Sequence, residues 1–86
     1  MEFKLSSHAR QEIERRNIPL SLIDEVMRNP QQIGPAAEGM QVYQSKFDYG
    51  SGKMYLLRII VDENALPSVI VTAYRTSKIE KYWRKP

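Results

Sequence analysis

Hydrophobic and polar positions alternate most clearly in the second half of the chain. Tyr55-Leu-Leu-Arg-Ile-Ile-Val61 and Ser68-Val-Ile-Val-Thr-Ala-Tyr74 are rich in β-branched and aromatic residues. Asp62 to Pro67 is a polar, Pro-ended connection of hairpin length, so the two runs predict paired antiparallel strands. Strict alternation places Tyr55, Leu57, Ile59 and Val61 on one face with Val69, Val71 and Ala73. The other face then carries Leu56, Arg58, Ile60, Ile70, Thr72 and Tyr74. A one-residue slip would exchange the faces, so the apolar set defines the core side. The second set holds an Arg, a Thr and a Tyr among aliphatics, more polar chemistry than a packing face requires.

Upstream, Met40 to Phe47 alternates at period two, and Asp48-Tyr-Gly-Ser-Gly52 is a turn. Pairing in the same sense puts Tyr43 and Phe47 on the apolar face and Val42 and Lys46 beside Arg58. Before that, the period changes. Ala9 and Ile13 stand four apart in a polar segment from His8 to Arg16, with Ser6 or Ser7 as cap and Asn17 as a left-handed stop. Leu22, Ile23, Val26 and Met27 form the stripe of a second helix, opened by Ser21 with Asp24 and closed by Asn29-Pro30. Glu2 to Leu5 reads as a short edge strand, Gln31 to Gly39 as a loop, and Ser77 to Trp83 as a short helix docking back through Ile79, Tyr82 and Trp83. The expectation is one α+β domain over residues 1–86: two N-terminal helices on one face of a small antiparallel meander, then a short basic C-terminal segment.

Composition narrows the function classes. The chain has 86 residues, no cysteine and one histidine, which excludes disulfides, thiolate catalysis and multi-His or Cys-type metal sites. No cofactor or metal is expected. The absence of cysteine makes a cytoplasmic protein the expectation; no N-terminal apolar stretch resembles a signal peptide, and no apolar run has the roughly 18 residues of a membrane span. The net charge of +3 is unevenly placed. From Arg75 onward five basic residues face one acidic residue, +4, and the preceding residues sum to −1. That asymmetry points to an anionic partner, nucleic acid first, or else to a solvated basic tail.

Lys46, Arg58, Thr72 and Tyr74, with Arg75, Lys78 and Lys81 near the end of the sheet, supply cations beside a phenol. Those groups can hold phosphates and stack on bases. Metal-independent RNA cleavage requires a base for the 2′-hydroxyl, a cation for the phosphorane and an acid for the leaving 5′-oxygen. Arg58 can be the cation, and His8, Tyr74 or Lys78 the acid or base. His8 lies at the start of a helix, where the dipole favours neutral imidazole. Each residue also has a structural reading: Arg58 as a solvated strand residue, Thr72 as a β-former, Tyr74 as a rim lid, and Ser7 with His8 as a helix start.

Two stretches carry a resemblance. His8-Ala9-Arg10, Glu12, Arg15-Arg16-Asn17-Ile18, Ile23, Val26 and Asn29-Pro30 form one. Val71-Thr72-Ala73-Tyr74-Arg75, following Leu57-Arg58-Ile59-Ile60-Val61, forms the other. In that order they resemble small domains of unknown function grouped with the RelE-like and BrnT-like toxins, in the barnase, EndoU, colicin and RelE class of ribonuclease folds. The resemblance implies a metal-independent endoribonuclease toxin with RNA as substrate and a cognate antitoxin protein as partner. On that analogy His8, Arg58, Thr72, Tyr74 and Lys78 line the RNA groove. Two alternatives stand beside it: a non-catalytic nucleic-acid- or protein-binding module of the same fold, and a homodimer pairing sheets through Leu56, Ile60 and Ile70.

Overall fold

A computed structural model describes residues 2–85. The elements run β1 (Phe3–Leu5), α1 (Ser7–Arg15), α2 (Leu20–Arg28), β2 (Gln32–Pro35), a 3-10 turn (Ala37–Gly39), β3 (Gln41–Asp48), β4 (Met54–Asp62), β5 (Ser68–Thr76) and α3 (Ile79–Tyr82). They form an α+β domain with a five-stranded sheet in the order β1-β5-β4-β3-β2. Strands β2 to β5 pair antiparallel, and β1 adds to the outer side of β5 in parallel.

Helix α1 starts where Ser6 Oγ accepts from the Ala9 amide at 3.0 Å and stops as Asn17 turns to φ 54°. It buries Ala9 and Ile13, and α2 buries Ile23, Val26 and Met27. Both stripes meet the sheet residues Tyr43, Leu57, Ile59, Val61, Ile70 and Ala73 in one core, the arrangement the helical and strand periods require.

Three local expectations are corrected. Helix α2 is not opened by Ser21: its N-cap is Pro19, with no side-chain hydrogen bond. The 31–39 loop contains a strand, because β2 pairs Ile33 with Tyr43 and Gly34 with Val42. Most consequential is a register shift in β5. Ile60 pairs with Thr72 but Val61 pairs with Ile70, leaving Val71 as an extra residue. A bulge of this kind inverts the alternation beyond it. Ile70, expected on the Arg58 face, is therefore fully buried in the helix-side core.

Candidate nucleic-acid interface

On the sheet face away from the helices, Arg58 in β4 lies between Gln44 of β3 and Tyr74 of β5, its directly paired residues. Cross-strand pairing brings such side chains within reach of each other. Arg58 Nε donates to Tyr74 Oη at 2.7 Å, and Arg58 Nη1 donates to Gln44 Oε1 at 2.7 Å. Gln44 is 1% exposed, and its Nε2 donates to Gln32 Oε1 at 2.7 Å and to the Tyr82 carbonyl at 3.2 Å. Gln32 completes the chain of bonds: its Oε1 accepts from the Arg84 amide at 3.1 Å, and its Nε2 donates to the Arg84 carbonyl at 2.6 Å. One polar line thus crosses four strands, from Tyr74 through Arg58 and Gln44 to Gln32, and ends on the C-terminal segment.

That segment lies over the face. The Tyr82 ring stacks on Arg58, 4.1 Å from Cζ, and Tyr74 meets Tyr82 edge-on at 6.4 Å and 73°. Lys46 Nζ stands 4.0 Å from the centre of the Trp83 ring. Val42 and Leu56, on this face by register, are buried outside the helix-side core. The expected docking of Tyr82 and Trp83 is therefore present. A surface for sheet-to-sheet pairing through Leu56, Ile60 and Ile70 is not: Leu56 and Ile70 are fully buried, and Ile60 is half-buried.

The electrostatics are one-sided. Among the described residues every ion pair lies on the helices or at the end of α1: Glu12 with His8, Arg15 and Arg16, and Asp24 with Arg28. Arg58 is half-buried and has no carboxylate partner there. Of the five N–H groups of a guanidinium, two are bonded to Tyr74 and Gln44, which leaves three for another acceptor. Tyr74 accepts from Arg58 and keeps its own O–H proton to donate.

The other anticipated residues distribute unevenly. Thr72 shares the face, opposite Ile60. Lys78 precedes α3, its amide bonded to Thr76 Oγ1 at 3.0 Å, and both Lys78 and Lys81 are exposed. Arg75 faces the opposite side: it pairs with Leu57, donates to the Arg16 carbonyl at 3.2 Å and lies 4.7 Å from the Tyr49 ring. His8 is on α1, with its side chain 67% exposed and Nε2 3.9 Å from Glu12. The sheet separates His8 from Arg58. Gln44, Gln32 and Arg84 were not anticipated. Period two alone would have found Gln44, between Val42 and Lys46, but Gln32 belongs to a strand whose Gly and Pro read as loop. Among the described residues no cluster of His, Asp or Glu could hold a metal ion, and no helix is long and apolar enough to cross a membrane.

A domain-of-unknown-function family, DUF4258, matches residues 5–75. The chain belongs to that family. The matched span includes Gln32, Gln44, Arg58 and Tyr74 and ends before α3. No curated protein and no solved structure matches the chain significantly.

Proposed function

We propose that the protein is a metal-independent endoribonuclease of the toxin type, acting on RNA at the Arg58 face and restrained by a cognate antitoxin protein. The observation that carries this reading is a half-buried Arg58 with no carboxylate partner among the described residues and a hydroxyl, Tyr74 Oη, 2.7 Å away. A cation in that setting attracts a phosphate. In the reaction, the 2′-oxygen of RNA attacks the adjacent phosphorus and loses its proton to a base. Arg58 stabilises the phosphorane, and the bond to the 5′-oxygen breaks as an acid protonates it. The products are a 2′,3′-cyclic phosphate and a 5′-hydroxyl. Tyr74 and Lys78 divide the acid and base roles. His8, beyond the sheet, takes no part.

A second reading, a non-catalytic RNA-binding module, is favoured by one observation: His8 lies beyond the sheet and Arg58 has no carboxylate partner among the described residues, so neither ordinary base stands beside it. Induced expression in a bacterial host, with wild type beside Arg58→Ala and Tyr74→Phe, separates the two. The ribonuclease reading expects growth arrest and loss of bulk mRNA with wild type, no arrest with Arg58→Ala, and cleavage about 10²–10⁴-fold slower with Tyr74→Phe. Normal growth and intact RNA from soluble wild-type protein would leave the binding module standing. Equal RNA loss in all three would remove Arg58 and Tyr74 from the site.

A further inference from the structure

The Tyr82 ring lies over the Arg58 guanidinium, its centre 4.1 Å from Cζ, and Tyr74 stands beside it at a steep angle, 73° between the ring planes. Unstacked nucleobases are held by proteins in the same way, on arginine planes and aromatic rings. We infer that the Arg58–Tyr74 slot is a nucleobase-stacking subsite for single-stranded RNA, and that Tyr82 occupies it as an internal stand-in which RNA must displace. The inference rests on the RNA reading above and holds for either its catalytic or its binding form.

Four further observations support it. Lys46 carries the Trp83 ring at 4.0 Å, and it stands two positions along β3 from the partner of Arg58. Such diagonal neighbours are about 7–8 Å apart, so the face offers two stacking positions in succession, each filled by the C-terminal segment, residues 77–85, which forms a strap over the sheet. The strap is also poorly suited to hold itself in place. Helix α3 has four residues and no side-chain N-cap, far below the length at which a helix is stable alone. Its charge opposes its position as well: residues 77–85 carry Lys78, Lys81, Arg84 and Lys85 against Glu80, laid over Lys46 and Arg58. A polyanion relieves that repulsion from both sides. The strap lies beyond the family match, which ends at residue 75.

The test uses the full chain and a short, labelled single-stranded oligouridylate. Trp83 is the sole tryptophan, so its emission reports the strap directly. With wild type, saturation by RNA should shift Trp83 emission to the red as the ring leaves Lys46. Tyr82→Ala should bind about 2- to 30-fold more tightly, the range for one lost cation–π contact, and Tyr82→Phe, which keeps a ring, should match wild type. Gln32→Ala tests the same point from the far end of the strap, since it frees Arg84 and reaches Arg58 only through Gln44, and affinity should rise again. Weaker binding by Tyr82→Ala, with Trp83 emission unmoved in wild type, would overturn the inference and make Tyr82 part of the RNA platform. Binding by none of the proteins would overturn the RNA reading itself, and the subsite with it.

Discussion

Tyr43 pairs with Ile59 on the helix side of β3 and is 4% exposed. Its hydroxyl donates to the Glu63 carboxylate in the β4–β5 connection. Burial, and then that carboxylate, disfavour the phenolate and push the phenol up to about 12, against an ordinary value near 10. The folded state therefore holds this proton more tightly than the unfolded chain does. The associated stability is complete below pH ~10 and is lost as pH rises from ~10 towards ~12. Two pH units correspond to about 3 kcal/mol, an upper bound for one phenol. Tyr43→Phe should cost about 1 kcal/mol at neutral pH through the lost hydrogen bond and should flatten the alkaline limb. Urea midpoints measured from pH 8 to 12 decide this: a variant that loses stability as steeply as wild type would clear Tyr43 of the effect.

At the scale of elements, the helix signals were the most direct to read. Ser6 does cap α1, and Ser6→Ala should lower stability by about 1 kcal/mol, visible as a lower urea midpoint with an unchanged slope. An unchanged midpoint would mean that the Ala9 amide finds water as readily as the hydroxyl. The strands were legible wherever strict alternation held. Tyr43 and Phe47 do pair with Ile59 and Tyr55, and Val42 and Lys46 do share the face of Arg58. Legibility ended at two places for distinct reasons. Strand β2 is Gln-Ile-Gly-Pro, a loop composition that survives as a strand because it lies at the sheet edge, where Pro and Gly are tolerated. The bulge at Val71 leaves no mark in a run of β-formers, since Val, Ile and Thr suit either face. Only packing decides there, and Ile70 fills the core better than the bulged Val71. The site follows the same division. Arg58 and Tyr74 lie before the bulge in the β4–β5 register and met as alternation required, whereas Gln32 could not be placed without β2. Arg75 could have been placed, because it is one residue from Tyr74 and must face the other way.

The molecule as a whole has two covered faces, and the coverings differ in kind. The helix side is closed by two amphipathic helices whose apolar stripes interlock with the sheet. The other side is closed by a strap that brings cations, aromatic rings and backbone groups to a face already holding Lys46 and Arg58. Beneath it Val42 and Leu56 are 4% and 0% exposed, and Gln44 spends one of its hydrogen bonds on the Tyr82 carbonyl. Ending the chain at Thr76 would return these groups to water. Tyr82 and Trp83 are half-buried, so the lost apolar burial, from both the strap and the strand residues beneath it, should cost about 2–4 kcal/mol. The exposed strip would combine two aliphatic positions with two cations and a phenol. Hydrophobic exposure of that kind promotes self-association, whereas retained charge at Arg58 and Lys46 opposes it. The charges are flanked by buried aliphatics rather than by carboxylates, so salt, which screens the repulsion and leaves the apolar attraction, should tip the balance. Sedimentation velocity should therefore find the shortened chain monomeric at low ionic strength and increasingly dimeric as salt rises, while the full chain does not change. A shortened chain as stable as the full one and monomeric at every salt concentration would mean that the strap contributes nothing to covering the sheet.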